Sequence, residues 1–520
     1  MSRINTNVQS LIAQRVLGQN NAGLNNTLER LSTGLRINRG KDDPAGLIAS
    51  ENLRAEKAAI SAAIGNAERA DQVVNIAEGG LQEVSGLLED LQSLVTTTAN
   101  TTGLSEEEKE ANQLQIDSIL QTIDRVSQST SFQGTRLLNG TLDFETTNVS
   151  ANVDAFKVNG AKLEFEGTRD VNVVVTDSAQ VGGFLLSFGG ANINLGGAGA
   201  DDGADSEFVL EITGNKGSRE LTFASGTAVS DIITAINSFS DVTGVEASAS
   251  GASGVRLESE ELGANEFVSV RIVDDGAING ANGIYELSAD NTNVADTGSV
   301  TAFNVTAAAN GLTDEGQDVQ ATINGIQATT KGTTARINTD FLDVEVDLIT
   351  GAGGGNASAQ ELGSLTALRI TGGGGEFQLA GRVDIAGKVS LGIGDIGSRT
   401  IGRTEDGTST RFLADLANGA SLNVVDGDLG EAQKVISNAI SEVSSLRGRI
   451  GAFQQNTIGA TIRSLNVGLE NTAAAESVIR DADFALETAQ LTRNQILSAS
   501  AQNVLQQANL QPQNALQLLG

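Results

Sequence analysis

Two long stretches of the sequence repeat apolar residues at alternating steps of three and four, a pattern that strongly constrains the fold. The first runs through Ile60, Ala63, Ala67, Ala70, Val74, Ala77, Leu81, Val84, Leu88, Leu91 and Val95. The second runs through Leu429, Ala432, Ile436, Ala439, Val443, Leu446, Ile450, Phe453, Thr457, Ala460, Ser464 and Val467. A period of 3.5 sustained over such lengths is typical of helices wound on one another. With a shorter helix through Ile116, Ile119, Ile123 and Val126, the pattern predicts a rod-like antiparallel bundle built from both ends of the chain.

The extreme ends carry apolar stripes of their own. The N-terminal stripe contains Leu17, Leu24, Leu28, Leu31 and Leu35, and the C-terminal stripe contains Val478, Ala482, Ala485, Ala489, Thr492, Ile496 and Ala499. After Arg493 the last 27 residues are uncharged, although the chain has a formal net charge of −32. Helices with Gln, Asn, Ser and Thr on their polar faces can lie against copies of themselves without stacking like charges. We therefore expect these ends to be buried in a homopolymer.

Two alternatives exist for the same stripes. They could pack only within one chain, as the helices of any bundle do. They could also lie on a membrane surface, but such helices normally carry Lys and Arg on the polar face, and basic residues are scarce here.

A short connector separates the first stripe from the long repeat. The sequence there is KDDPAG, in which Asp42 or Asp43 can cap a helix and Pro44 can occupy its first turn. A new helix is therefore predicted at this point, with the terminal helices forming a separate layer.

The centre of the chain has the glycine-rich, alternating texture of β-structure. The stretches FKVNGAKLEF and ATINGIQAT each place Asn-Gly where a two-residue hairpin turn is expected. From Glu220 onward the pattern predicts strands at Leu221 and Phe223, a helix over 229–236, and strands near 245, 255–257 and 267–273. The fold class predicted is α + β and multi-domain, with central β-rich outer domains.

Composition excludes most enzyme mechanisms. The chain has no Cys and no His, so it lacks disulfides, thiolate nucleophiles, imidazole bases and His-ligated zinc. The glycines near Lys388 do not have the spacing of a phosphate loop, and the acidic clusters lack the ligand spacing of a calcium loop. With 65 acidic and 33 basic residues, a nucleic-acid partner is not expected. We predict no catalytic, cofactor or metal site, and no cleavable secretory signal or membrane insertion.

Several segments resemble bacterial flagellin. At the start these are MSRINTNVQSLIAQ, LERLSTGLRIN, KDDPAGLIASENLRA, AEGGLQEVSGLL and IDRVSQSTSFQGTRLLNG. At the end they are LRGRIGAFQQNTI, ESVIRDADFALETAQLTRNQIL and NVLQQANLQPQNALQLLG. The resemblance covers about 140 residues at the start and 95 at the end. The stretch from Phe208 to Val273 also resembles the insert modules of larger flagellins.

The resemblance implies a structural subunit that polymerises into the extracellular flagellar filament for motility. It implies export in unfolded form by the flagellar type III system, with an export chaperone, a filament cap and hook-junction proteins as partners. The implied domains are a terminal coiled coil (1–43 with 479–520), a helical rod with a β-hairpin (44–176 with 400–478) and surface domains over 177–399, including the module at about 208–275. The implied self-assembly interface comprises Ile4, Val8, Leu11, Leu17, Leu24, Leu28, Leu31, Leu35, Val478, Ala482, Ala485, Ala489, Ile496, Val504, Leu505, Leu516 and Leu519.

Two other functions are compatible with part of the sequence. A hook–filament junction protein shares the terminal helices, although FQGTRLLNG and the long rod favour the filament subunit. A secreted acidic surface adhesin would account for the central region but not for the paired uncharged ends.

One predicted difference from other flagellins lies in the patch that the flagellin-sensing Toll-like receptor contacts. The resemblance aligns the apolar residue of the receptor patch with Leu88, its key arginine with Asp90, and a partnering glutamate near Gln115. Exchanging a cation for an anion at a contact replaces attraction with repulsion. We therefore expect weak or absent receptor signalling.

Overall fold

The computed structural model describes residues 6–100, 103–164, 167–195, 207–278, 283–288, 291–308, 310–350, 360, 362–406 and 409–519. It divides into two compact units. The terminal unit comprises Met1–Gly79, Phe377–Lys388 and Ser445–Gly520. The β-rich unit comprises Gly80–Glu376 and Val389–Ser444.

The helices of the described residues follow the predicted distribution toward both ends. They are α1 (Val8–Thr33), α2 (Pro44–Thr98), α3 (Glu106–Ser129), α4 (Val229–Asn237), α5 (Ser240–Thr243), α6 (Leu429–Ala452), α7 (Gly459–Arg480) and α8 (Phe484–Leu519). A 3₁₀ turn covers Leu413–Leu416, and a π-helical turn at Phe453–Ile458 joins α6 to α7.

Local side chains define where these helices begin. The Asn7 side chain accepts the Ser10 N–H at the start of α1, and Ser105 and Glu108 form a capping box on α3. At the connector, Asp43 accepts the Gly46 N–H at 2.9 Å and Pro44 is the first residue of α2. The prediction of a new helix at KDDPAG is confirmed.

The first half of the predicted rod pattern is buried as expected. On α2 the stripe from Ala63 to Val95 is fully or nearly fully buried, and on α6 the stripe from Ala432 to Ile450 is likewise buried. Side-chain pairs join α2 to α6 and α7 in antiparallel order within the terminal unit. Glu78 bonds Arg447 at 2.9 Å, and Lys57 bonds Glu476 at 2.5 Å.

Phe453 and Thr457 are half-buried as predicted, but from Ala460 onward the predicted stripe is wrong. Ala460, Ser464 and Val467 are exposed, and the residues turned inward are Ile458, Ile462, Leu465 and Leu469. The π-helical turn inserts one extra residue into the helical repeat, so the buried positions move forward by one or two places.

The strands of the described residues form small antiparallel sheets. They are β1 (Ser131–Phe132), β2 (Thr135–Arg136), β3 (Asn139–Leu142), β4 (Phe144–Thr147), β5 (Val153–Ala161), β6 (Arg169–Asp177), β7 (Gly183–Ser187), β8 (Glu207–Gly214), β9 (Ser218–Ala224), β10 (Val245–Ser250), β11 (Gly254–Ser259), β12 (Phe267–Asp274), β13 (Gly283–Ser288), β14 (Asn291–Thr301), β15 (Leu312–Glu315), β16 (Gln320–Ile323), β17 (Ile326–Gln327), β18 (Thr329–Lys331), β19 (Thr334–Asn338), β20 (Leu342–Leu348), β21 (Gly363–Gly373), β22 (Gly375–Gln378), β23 (Lys388–Leu391), β24 (Ile393–Asp395), β25 (Thr404–Asp406) and β26 (Ser409–Arg411).

The β-rich unit contains two sandwich-like modules, each with its own core. In the first module, the sheets β17-β16-β6-β21-β4 and β18-β19-β20-β5 share a core of aliphatic residues. In the second, here called the insert module, the sheets β10-β11-β7-β13-β14 and β15-β12-β8-β9 enclose a core with three mutually packed rings. Those rings are Phe188, Phe208 and Phe303. The α4 helix and the strands predicted from 221 to 273 all belong to the insert module, as expected.

One of the two predicted hairpin turns is correct. Asn324 and Gly325 have positive φ angles of 50° and 80°, and Ile323 pairs with Ile326 across the two-residue turn. The other prediction is wrong, because Asn159 and Gly160 lie inside β5. There the register against β20 shifts by one residue, and the buried Asn159 offers its carbonyl to the Gly392 N–H at 2.8 Å. That Asn-Gly pair therefore forms a bulge in the strand.

The boundary predicted at residue 177 passes through the first module. Strand β6 ends at Asp177 and pairs with β16 on one side and β21 on the other. Both partners lie beyond the predicted boundary, so a cut there would open the centre of a sheet.

Candidate assembly surface on the terminal helices

Helices α1 and α8 pack side by side in antiparallel order. Asn7 near the start of α1 donates to the Ala508 carbonyl at 2.7 Å, and Arg30 near its end contacts Glu487 at 3.1 Å. The buried and half-buried positions recur at steps of three and four on both helices. The positions that follow these steps are Ser10, Ala13, Leu17, Asn20, Leu24, Thr27 and Leu31 on α1, and Glu487, Leu491, Asn494, Ser498, Ala501, Leu505 and Ala508 on α8. This set is called the seam.

The seam is rich in small and polar side chains. Ser10 donates to the Asn509 side chain at 2.7 Å, and the Asn20 amide donates to the Leu497 carbonyl at 3.1 Å. Further along, Ser498 donates to Asn21 at 2.8 Å and Asn494 donates to Thr27 at 3.0 Å. Hydrogen bonds of this kind fix the register of the two helices, whereas each adds only about 1 kcal/mol of net stability.

The ion pair at one end of the seam is the most buried charged contact in it. The Glu487 side chain is 5% exposed and the Arg30 side chain 33% exposed. Arg30 reaches one carboxylate oxygen, and no residue that the structure describes bonds the other. A buried charge with a single partner is sensitive to loss of that partner, so this pair also fixes the register.

Apart from the five leucines of the seam, the described large apolar side chains of both helices point away from it. Val8 is 54% exposed and Leu11 57% exposed. The other exposed apolar side chains of the pair are Ile12, Val16, Leu28, Phe484, Leu486, Ile496, Leu497, Val504 and Leu510. Contiguous exposed apolar residues on a soluble chain mark an interaction surface. We call these residues the outer faces of the terminal pair.

A shallow apolar groove follows one side of the pair. It has a volume of about 370 Å³ and is lined on α1 by Ile12, Ala13 and Val16 and on α8 by Leu497, Ala501 and Val504. Its lining contains no charged residue. The groove therefore suits another apolar helix better than a charged ligand.

The predicted interface residues divide between these two environments. Leu17, Leu24, Leu31, Leu35, Ala482 and Leu505 are half-buried, and Val8, Leu11, Leu28, Val478, Ala485, Ala489, Ile496 and Val504 are exposed. Ile4 and the side chains of Leu516 and Leu519 lie outside the described residues. Sequence reasoning missed the polar seam positions because it followed apolar residues alone. The signal was the 3.5-residue recurrence of Ser, Ala, Asn and Thr between the leucines of α1.

The predicted receptor patch needs one correction. Leu88 is 0% exposed and belongs to the buried stripe of α2, because that stripe recurs through Val84, Leu88 and Leu91. It therefore cannot contact a receptor in the folded chain. Asp90 and Gln115 are exposed, so the expectation of weak signalling now depends on these two residues alone.

The described part of the chain offers little else that could form a site. None of its helices combines the length and apolar character needed to span a membrane. Across the same residues, no group of three or more His, Cys, Asp or Glu side chains is arranged to hold a metal ion.

Comparison with known proteins identifies the family. The model of the bacterial flagellin N-terminal helical region matches residues 4–143, and that of the C-terminal helical region matches residues 433–519. A third model, the flagellin hook IN motif, matches residues 208–261 within the insert module.

Similar proteins cover nearly the whole chain. Flagellin from Salmonella choleraesuis is 27% identical over 546 aligned residues, and B-type flagellin from Pseudomonas aeruginosa is 28% identical over 559, each alignment covering 99% of both chains. Among solved structures, FliC from Burkholderia pseudomallei aligns at 15% identity with a TM-score of 0.23, over 74% of this chain and 98% of that one. The junction protein FlgL from Legionella pneumophila aligns at 13% identity with a TM-score of 0.26, over 83% and 99%.

Flagellins are structural proteins rather than enzymes, and they form the extracellular flagellar filament used for motility. Two family models match the helical ends in the order expected, and flagellins align along 99% of the chain. The chain therefore belongs to the bacterial flagellin family.

Proposed function

We propose that this chain polymerises with copies of itself through the outer faces of the terminal pair. One observation carries the proposal: α1 and α8 meet through leucines interspersed with small and polar residues, and they leave eleven other described large apolar residues exposed. Such a surface gains free energy only when another surface covers it, at roughly 25 cal/mol per Å² of apolar area. The uncharged stretch after Arg493 allows identical copies to approach without like charges meeting.

We further propose that the chain meets an export chaperone, a filament cap and hook-junction proteins. An exposed apolar surface is an aggregation hazard before assembly, and a chaperone that covers the outer faces would remove that hazard. Absence of Cys is compatible with export in unfolded form, since no wrong disulfide can form on the way.

The test is seeded polymerisation of a double variant, Leu11→Ser with Val504→Ser. Both side chains are more than half exposed in the single chain, so the fold of the monomer should not change. Half-burying two aliphatic side chains in a polymer is worth roughly 2–3 kcal/mol, and a factor of ten in concentration corresponds to about 1.4 kcal/mol. We expect the critical concentration for polymerisation to rise at least about thirtyfold.

The matched control is Val242→Ser with Val305→Ser, two exposed valines of the insert module. This control should polymerise like the unchanged chain, as measured by sedimentation and electron microscopy. Normal filaments from Leu11→Ser with Val504→Ser would contradict the proposal.

A further inference from the structure

The chain contains seven Asn-Gly pairs, and the fold gives them different surroundings. They begin at Asn139, Asn159, Asn279, Asn282, Asn310, Asn324 and Asn418. Asn279 and Asn282 lie outside the described residues. In such a pair the glycine nitrogen can attack the side-chain carbonyl carbon of the asparagine, because glycine has no Cβ atom to hinder the approach. The attack is favoured when the asparagine side chain is mobile and the glycine N–H is not engaged in a hydrogen bond.

Two of the five described pairs lie within β-strands that restrain the asparagine. Asn159 is 5% exposed, and its amide donates to Asp343 at 3.3 Å. The Asn139 side-chain oxygen accepts the Thr141 N–H at 3.3 Å and the Thr141 hydroxyl at 2.7 Å. Neither side chain is free to turn toward the following glycine.

Two further pairs are exposed but held by hydrogen bonds. In one, the Gly311 N–H donates to the Ala308 carbonyl at 3.3 Å. In the other, the Asn324 side chain accepts the Asn172 N–H at 2.9 Å and donates to the Asp170 carbonyl at 3.1 Å. An attack at either pair must first break these contacts.

The fifth pair, Asn418-Gly419, lies at the tip of a tight turn. The Ala420 N–H donates to the Ala417 carbonyl at 3.0 Å, so Asn418 and Gly419 are the two central residues of the turn. Both are exposed, and Gly419 has a φ angle of +79° with open space where a Cβ atom would lie. Neither the Asn418 side chain nor the Gly419 N–H bonds any residue that the structure describes.

The chain on either side of this turn is fixed to α3. Gln113, which is 2% exposed, donates to the Leu416 carbonyl at 2.9 Å and accepts the Val424 N–H at 2.9 Å. Asp117 accepts the Asn418 N–H at 2.9 Å. The turn is therefore held at its base, while the two groups that would react at its tip are unrestrained.

We propose that the fold selects Asn418, among the described Asn-Gly pairs, for spontaneous deamidation. The Gly419 nitrogen forms a bond to the side-chain carbon of Asn418, the side-chain nitrogen leaves as ammonia, and a cyclic imide results. Water then opens the imide at either of its carbonyl carbons, which gives aspartate or isoaspartate. The net reaction consumes water and releases ammonia, and nothing is oxidised or reduced.

The modification should weaken the attachment of this segment to α3. Either product places a carboxylate on the residue whose N–H bonds Asp117, and like charges at short distance repel. Isoaspartate also inserts an extra carbon into the main chain between Leu416 and Val424, the two points that Gln113 holds. We therefore expect the Val424 N–H to become less protected from amide exchange.

The test follows deamidation of the full chain during incubation at mildly alkaline pH. Peptide mass spectrometry measures the conversion at each pair, and synthetic peptides with aspartate or isoaspartate identify the products. Asn324 is the internal control, since it is also exposed and followed by glycine. We expect Asn418 to convert at least about tenfold faster, a ratio equivalent to about 1.4 kcal/mol of barrier. Equal rates at the two positions, or faster conversion at another described pair, would overturn the inference.

The same incubation in denaturing urea separates the fold from the local sequence. Unfolding removes the hydrogen bonds that restrain Asn324, so the two positions should then convert at similar rates. If Asn418 keeps its full advantage in the unfolded chain, neighbouring residues set the rate and the inference is overturned.

The variant Asn418→Gln tests the consequence for α3. Glutamine keeps the amide, but its longer side chain would have to close a larger ring, so this position should stay unmodified. After the incubation, amide exchange at Val424 should be faster in the modified chain and unchanged in Asn418→Gln. Slow exchange at Val424 in a fully modified chain would contradict the predicted loosening. All of these measurements are made on the monomer and do not depend on polymerisation.

Discussion

Gly402 shows how one residue can fix the packing of a long helix. Its φ angle is +77°, and a Cβ atom there would lie 2.6 Å from the backbone oxygen of Val435 on α6. Its N–H also donates to Glu442 at 3.2 Å. The chain therefore needs glycine at this position both for the left-handed backbone and for the close approach to the helix.

The matched comparison is Gly402→Ala against Gly419→Ala. Gly419 has nearly the same φ angle, +79°, but a Cβ atom there meets nothing within 4 Å. The left-handed backbone alone costs a side chain roughly 1–2 kcal/mol, so Gly419→Ala should lose about that much stability. Gly402→Ala should lose roughly 3 kcal/mol or more, because the α6 backbone must also move. Denaturant midpoints of the two variants measure the difference, and equal losses would show that the contact with Val435 is unimportant.

Glu442 on the same helix makes stability depend on pH. Burial raises the pKa of its carboxyl above the ordinary value of 4.5, and the Gly402 N–H and the charge of Lys157 only partly oppose that effect. A carboxyl with a raised folded pKa contributes stability at low pH, and that contribution is lost as pH rises through the folded pKa. Above that pKa the chain therefore carries the cost of burying a charged carboxylate.

We expect Glu442→Gln to raise the melting temperature at pH 7, because an amide can still accept the Gly402 N–H without a buried charge. The gain should shrink as pH falls and vanish near pH 4, where the carboxyl of the unchanged chain is protonated. Glu145→Gln, at an exposed position of β4, provides the control. A gain that is the same at pH 4 and pH 7 would exclude the charge as its cause.

At the scale of helices and strands, the sequence predicts the spacing of buried positions better than it predicts which elements those positions contact. The burial of α2 from Ala63 to Val95 follows directly from its 3.5-residue repeat. The same repeat continues through α7 without a visible break, yet the π-helical turn moves the buried side by one or two positions. Nothing local in the sequence marks that turn, because it depends on Gln454 and Phe453 meeting groups far away in the chain.

The two Asn-Gly pairs show the same limit for β-structure. Asn324-Gly325 forms the expected turn, whereas Asn159-Gly160 forms a bulge because β20 and the Gly392 N–H pair with the chain on either side of it. The dipeptide favours a positive φ angle in both places, but long-range pairing decides whether the chain reverses.

The candidate site could be predicted only in part for a related reason. Apolar periodicity correctly drew attention to both terminal helices, and several of the residues it selected are exposed, such as Val8 and Ile496. It could not show which side of each helix faces the other, because the seam mixes leucines with residues such as Ser10, Thr27 and Ser498. Polar residues at seam positions are visible in the sequence only once the antiparallel pairing is known.

At the scale of the whole molecule, the insert module is a separate part of the chain both in its connections and in its charge. The insert module enters and leaves through two paired residues: the Gln180 N–H donates to the Gln317 carbonyl at 2.8 Å, and the Gln317 N–H donates to the Gln180 carbonyl at 3.0 Å. Residues 181–316 contain 20 acidic and 4 basic residues, so the module carries a net charge of −16, half the total of −32. Its core is separate from that of the first module.

These facts favour deleting residues 181–316 over deleting residues 177–399, the predicted span of the surface domains. Replacing residues 181–316 with a two-residue Asn-Gly turn keeps every strand of the sheets around β6 and β20, and adjacent chain ends can be joined at little entropic cost. We expect the shortened chain to fold with its helices intact and to form filaments.

Because half of the net negative charge is removed, filaments of the shortened chain should also form at lower salt than those of the full chain, where repulsion between β-rich units needs screening. Circular dichroism measures whether the helices are intact, and sedimentation over a range of salt concentrations measures the salt needed for polymerisation. Electron microscopy shows whether the polymers are filaments. Deletion of 177–399 is the comparison, and it should aggregate because β6 loses both neighbouring strands. If the 181–316 deletion folds but forms no filaments at any salt concentration, the insert module itself takes part in holding neighbouring subunits together.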